Sequence, residues 1–297
     1  MYTTTTCTYV TEEILLHETI LYIIWCLGLT ARIADIFSPR YPYVLPDASF
    51  GELRRIVREQ RVRMLPVVAD EKKMKLLGII RRGALLLVTS TRVEITAKDL
   101  VEEPSVVFLP SEDVTTAARN MLRADEWYAP VIDDEERYIG VLGLDDVIRY
   151  ALDNYREKLQ KPVSGIMETK VVYVEPDTPI YKVWQMMLSR RLAALPVIKS
   201  GKIIGVVAEH DLIMHGFTRP YLESPSGHRR GPTVGEVMST PAVTVEPDVP
   251  IAEVASLMVE RDIGRIYVTD ENGILQGVVD RSDVVAAWLR ELGLKPL

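Results

Sequence analysis

Cysteine is almost absent from this chain of 297 residues: Cys7 and Cys26 are the only two, both near the start and without metal-ligand spacing. Neither a disulfide framework nor a zinc site is expected, and the usage suits an intracellular, cytoplasmic protein. Histidine is nearly as scarce, and His17, His210, His215 and His228 show no ligand spacing, so no metal centre is expected. The most apolar stretch, Ile14 to Leu29, is interrupted by His17, Glu18 and Thr19. It falls short of the ~20 residues that span a bilayer and lacks the basic lead of a signal peptide, so it reads as a buried or interface helix rather than an anchor. Positive charge is also in deficit, with 35 Lys and Arg against 42 Asp and Glu, a net charge of −7. Nucleic-acid binding through a broad basic face is therefore not expected. The arginine-rich Arg54 to Arg63 stretch reads as a solvated helix face. Finally, the chain has no Walker P-loop, nucleophile elbow, HExxH or dinucleotide fingerprint, and it is expected not to be an enzyme.

What the chain does contain is a phrase used four times: MLPVVAD at 64–70, YAPVIDD at 128–134, ALPVIKS at 194–200 and GRIYVTD at 264–270. A second apolar run follows each, entered at Gly78, Gly140, Gly205 and Gly277, and each of those leads into a helix start. Upstream lie helical patterns over Phe50 to Glu59, Val114 to Leu122, Ile180 to Leu188 and Ile251 to Val259, each preceded by proline and an acid, which is a start signal. Short β-branched runs come before those, at Val106 to Leu109, Val171 to Val174 and Val243 to Val245, with a weaker counterpart at Tyr43 to Leu45. The clearest copy is the fourth, in which Asp270 to Gly273 supplies the hairpin turn and Asp280 and Asp283 are helix-cap candidates.

The pattern predicts an α/β fold built from strand-helix-strand-strand-helix units of roughly 55 to 65 residues, small enough that units should pair. An N-terminal helical segment over 1–32 is followed by copies at 33–92, 93–160, 161–218 and 233–297. A Pro-, Gly- and Ser-rich surface loop over 219–232 separates the last two. His228, Arg229 and Arg230 in that loop read as solvated.

In this register the residues resemble the cystathionine β-synthase (CBS) domain family: VSGIM at 163–167 and VGEVM at 234–238, a proline and acid before the first helix, LPVI, and GVV followed by an aspartate. The resemblance covers nearly everything from Ile33 to Leu292. It implies two pseudo-twofold pairs of consecutive repeats, with clefts that bind adenine nucleotides such as AMP, ADP or ATP. The arrangement is similar to that of the γ regulatory subunit of AMP-activated protein kinase and of archaeal stand-alone proteins of its kind. The implied role is a non-catalytic energy or metabolite sensor acting on a protein effector, requiring no cofactor, and a homodimer is expected. A structural or nucleic-acid-binding adaptor, or a binder of another adenosyl ligand such as S-adenosylmethionine, stays open.

The family's ribose-binding carboxylate matches Asp146, Asp211 and Asp283, while the first copy has Ala84. The resemblance places phosphate near Arg265, with Ser282 and His210 as partial replacements for a missing Ser or Thr. It places the adenine edge along Thr169, Lys170 and Val171 and along Thr240, Pro241 and Ala242. Acidic residues Asp133 to Glu136 and Asp145 were expected to crowd Asp146 and oppose phosphate. Copies three and four are therefore the expected binding half, anchored by Asp211 and Asp283. Each aspartate also has a plain reading as a helix cap, and Arg265 one as a surface ion pair.

Overall fold

The computed structural model describes residues 31–87, 94–214 and 231–295. The expected N-terminal helix and most of the 219–232 loop, with His215 and His228, fall outside the described residues. In the first repeat, α1 (Phe50–Gln60) precedes β1 (Met64–Val68), β2 (Leu76–Arg81) and α2 (Ala84–Leu87). The second has α3 (Val114–Arg123), β3 (Tyr128–Ile132), β4 (Tyr138–Gly143) and α4 (Leu144–Tyr155). The third has α5 (Ile180–Arg190), β5 (Ala194–Lys199), β6 (Lys202–Ala208) and α6 (Glu209–Met214). The fourth adds β7 (Thr244–Val245) before α7 (Ile251–Glu260), β8 (Arg265–Thr269), β9 (Leu275–Asp280) and α8 (Arg281–Glu291).

Each strand pair is an antiparallel hairpin with a register shift near the end of its first strand. The expected leading strand reaches full strand pairing only in the fourth repeat, where β7 runs parallel to β8. Elsewhere it contracts to single parallel bridges, Val44 to Val67, Phe108 to Val131 and Val174 to Val197. Between Asp270 and Ile274 the turn forms as expected, with Asp270 Oδ1 accepting the N–H groups of Asn272 and Ile274 at 2.9 and 2.8 Å.

Consecutive repeats are joined by exchange. A one-turn segment ahead of each repeat packs into the other member of its pair: Ile33–Asp35 into the second, Ala97–Asp99 into the first, Val163–Gly165 into the fourth, Val234–Glu236 into the third. There it closes the neighbour's first helix, whose leading N–H would otherwise have no partner. The N–H groups of Phe50, Val114, Ile180 and Ile251 donate to the carbonyls of Ile95, Ala31, Pro232 and Lys161 at 3.0 to 3.1 Å. Ser49 and Asp113 add side-chain caps, whereas Pro179 and Pro250 cannot. A glycine within each second strand makes the exchange possible. A Cβ would lie 2.5 Å from Glu102 O at Gly78, 2.5 Å from Ser38 O at Gly140, 2.8 Å from Ser239 O at Gly205 and 2.7 Å from Met167 Sδ at Gly277.

Helices then join the two pairs. Helix α4 packs on α7 and α8, and α1 on α6. One core merges the second and fourth repeats around Met121, Ile148, Val254 and Trp288; another merges the first and third around Leu53, Leu65, Val183 and Leu212. Among the described residues no helix is long and apolar enough to cross a membrane.

Candidate functional site

Six residues after each second-strand glycine the chain enters the first turn of the second helix, and the side chain there folds back on the helix start. Asp146 Oδ2 accepts the Gly143 N–H at 2.8 Å, Asp211 Oδ2 the Ala208 N–H at 2.7 Å, and Asp283 Oδ2 the Asp280 N–H at 2.9 Å. All three therefore serve as caps. A carboxylate has about four lone-pair sites, so this duty does not exhaust it. Of the three, Asp211 lines a cavity.

Asp211 borders a cavity of about 240 Å³ at the seam of the third and fourth repeats. Its Oδ1 accepts the Ser239 hydroxyl at 2.9 Å. One flank is apolar, made by Val206, Pro241, Val243 and Ile263. Five arginines also line it, Arg61, Arg63, Arg82, Arg261 and Arg265, together with Trp127. All four repeats contribute. Arg265 lies 5.9 Å from the Trp127 ring centroid and donates to the Ala194 carbonyl at 3.3 Å. Arg82 is buried and paired with Glu209 at 3.3 Å. Arg61 and Arg261 have no ion-pair partner among the described residues. Two of the lining residues each carry a buried polar atom without a hydrogen-bond partner, the Tyr267 hydroxyl and His210 Nδ1. Burial, followed by Arg82 and Arg61, lowers the His210 pKa, so the ring is neutral near pH 7.

The other three seams differ. In the second repeat Tyr41 stands where the fourth repeat has Ala242, and its ring lies 6.1 Å from that of Tyr128. The Tyr41 hydroxyl accepts the Arg63 N–H at 3.3 Å, and Tyr138 donates to the Tyr41 carbonyl at 3.0 Å. Burial, then the neighbouring Asp145, raises the Asp146 pKa to about 7. Asp133 to Glu136 do not contribute to that crowding. They lie in the β3–β4 turn, where Asp133 and Glu135 pair with Arg137, and only Asp145 acts on Asp146 as expected. In the first repeat, where Ala84 replaces the aspartate, Arg81 pairs with Glu102 and Glu126 in an open cavity of about 720 Å³. In the fourth, burial and then Asp280 raise the Asp283 pKa to about 7.

Of the residues matched to the family's site, Asp211, His210, Pro241 and Arg265 meet in this cavity. Thr240 borders it in sequence and donates its hydroxyl to the Ile204 carbonyl at 2.9 Å, and Ala242 lies between two lining residues. Asp283, Ser282, Thr169, Lys170, Val171 and Asp146 do not line it. Ser282 is occupied at the helix start, its N–H donating to Asp280 Oδ1 at 2.9 Å, and Lys170 N–H donates to Glu168 Oε1 at 2.7 Å. Arg61 and Arg63 were expected on a solvated face and instead line the cavity. The sequence reading also passed over Arg82, Arg261, Asp262, Tyr267 and Trp127. One local signal existed: Arg61, Asp125, Arg191 and Asp262 end the first helix of each repeat at φ of 54°, 54°, 53° and 48°. That left-handed corner usually takes Gly or Asn, so a charged residue in all four is unusual.

A fourfold strand-helix repeat, paired by exchange and cleft at its seams, defines a tandem-repeat protein with a cavity shared among repeats. The chain belongs to the CBS domain family, whose model matches residues 33–90, 97–153, 163–216 and 234–290. It is similar to protein MJ1225 of Methanocaldococcus jannaschii, at 25% identity over 63% of this chain and 68% of that one. Protein MJ1404 of the same organism is 26% identical over 87% of this chain, which spans 62% of its length. The crystal structure of MJ1225, proposed as an archaeal homologue of g-AMPK, superposes with a TM-score of 0.75 at 21% identity, covering 86% of this chain and 99% of that one. A conserved protein from Pyrococcus horikoshii gives a TM-score of 0.60 at 24% identity, with the same coverage. Both likenesses establish the shared four-repeat fold.

Proposed function

We propose that this chain is a non-catalytic sensor that binds an adenine nucleotide in the Asp211 cavity and passes the occupancy of that cavity to a protein partner. The observation that carries this reading is the lining of the cavity, which combines a carboxylate with lone pairs to spare, apolar side chains and five arginines. A ribose diol suits Asp211, whose two oxygens each accept one hydrogen bond and retain lone pairs for two hydroxyls. A base suits the flank of Val206, Pro241 and Val243, and a phosphate chain suits the arginines.

The ligand classes are separated by calorimetry with AMP, ADP, ATP, S-adenosylmethionine and single-stranded RNA. Binding of the phosphorylated adenosines with no product formed supports the sensor. Preference for S-adenosylmethionine, whose sulfonium would face the arginines, or for RNA overturns it. We further infer a cytoplasmic homodimer as the working form, which sedimentation equilibrium tests directly.

A further inference from the structure

Two carboxylates line the cavity, and the proposed function uses only Asp211. The other, Asp262, stands among the arginines at the left-handed corner that ends α7. Its Oδ1 accepts Arg281 Nη2 at 3.0 Å and Arg63 Nη2 at 3.4 Å, and its main-chain oxygen accepts Arg63 Nη2 at 3.1 Å. The two arginines depend on it unequally. Arg281 is fully buried and also donates to the Tyr128 hydroxyl and to Asp145 Oδ1 at 3.3 Å, so it keeps a counter-charge without Asp262. The Arg63 guanidinium donates only to Asp262 among the described residues. The Asp262 side chain is 49% exposed, so it can swing away from Arg63 without unpairing a buried charge.

From this we infer that Asp262 is an internal anion: its carboxylate holds Arg63 and must yield it when a phosphate enters the cavity. The inference rests on the nucleotide reading of the cavity and adds a specificity-determining residue to it. Asp262 belongs to the fourth repeat and Arg63 to the first, 199 residues apart, so the same exchange releases a tie between the two pairs of repeats. Asp262 opposes phosphate by like charge and by occupying its donor, and it does neither to an uncharged nucleoside.

The test is calorimetry on the full chain and on Asp262→Asn with adenosine, AMP, ATP and pyrophosphate. The expected result is that ATP and pyrophosphate tighten by about five- to twentyfold, AMP by less, and adenosine by less than about twofold. In an Arg63→Met background the gain from Asp262→Asn should shrink to the part due to like charge alone, a coupling that a merely structural role would not produce. Asp262→Gly, which suits the left-handed corner, repeats the measurement should the amide variant fold poorly. Unchanged or weakened binding of every phosphorylated ligand, or an equal gain for adenosine, overturns the role of Asp262. Nucleotides that bind parent and variant alike leave the cavity reading standing and remove the internal anion. Pyrophosphate that tightens while no nucleotide binds does the reverse, and no binding of any probe overturns both.

Discussion

Ile33, which opens the first repeat in sequence, is buried in the core of the second, and its N–H donates to the Glu112 carbonyl at 2.9 Å. The boundary between repeats in sequence is therefore not the boundary in space. Val163 does the same for the fourth repeat, and Ala97 and Val234 for the first and third. Shortening Ile33 should damage a repeat it does not belong to. Ile33→Ala is expected to cost about 2 to 5 kcal/mol, measured by urea denaturation, with amide exchange accelerating in α3 and β3 before it does in α1. Faster exchange confined to α1 would contradict the assignment.

Asp211 lines the cavity at the seam of the third and fourth repeats. Asp211→Ala should weaken nucleotide binding roughly tenfold to a hundredfold, through loss of charge-assisted hydrogen bonds worth about 1.5 to 3 kcal/mol. The 2′-deoxy nucleotide should bind the parent more weakly than the ribonucleotide and should lose little more in the variant. Equal parent affinity for the two sugars, read by calorimetry, would remove Asp211 from the ribose contact.

The Asp146 and Asp283 carboxyls titrate near pH 7 when folded, against about 4 in an unfolded chain. Because the folded state keeps these protons longer, it binds more of them than the unfolded state between about pH 4 and 7. The contribution of the two groups to stability therefore falls as pH rises through that window, and no further above it. Asp146→Asn and Asp283→Asn should each flatten the decline by on the order of 1 to 2 kcal/mol between pH 5 and 7.5, after discounting for partial exposure. Denaturant midpoints at the two pH values check this, and a slope identical to the parent's would refute it.

Tyr41 fills space at the seam that leads to Asp146, where the fourth repeat keeps only the methyl group of Ala242. Tyr41→Ala should destabilise the chain by about 1 to 3 kcal/mol and open the seam to a further equivalent of ligand. Calorimetric stoichiometry decides the second point. An unchanged stoichiometry would mean that Asp145 and the buried Asp146 exclude anions without help from the ring.

The helices and hairpins could be read in advance because each is specified locally. Proline and acid before an apolar face at helical spacing marks α1, α3, α5 and α7 to within two residues at either end, and the glycine before each β-branched run marks the hairpins. The leading strands were over-read, since a run such as Val171 to Val174 has strand composition but makes one bridge. Composition cannot say how many partners a strand will find. Asp211 was visible from its register, and the acidic neighbours of Asp146 set that residue apart, but nothing local distinguished Asp211 from Asp283. The structure adds Tyr41 across one seam and Asp280 beside the other. The set of arginines was harder still, because Arg61, Arg63 and Arg82 come from the first repeat and Arg261 and Arg265 from the fourth. Only the packing of helices between pairs brings them together.

Arg63, Arg82, Trp127, Ala193 and Arg265 face the Asp211 cavity on one side and the larger first-repeat cavity on the other. The two chambers thus share these five residues. A guanidinium turned toward an anion in one chamber is withdrawn from the other, so the two chambers draw on a common stock of positive charge, and filling either must alter the electrostatic welcome offered by its neighbour.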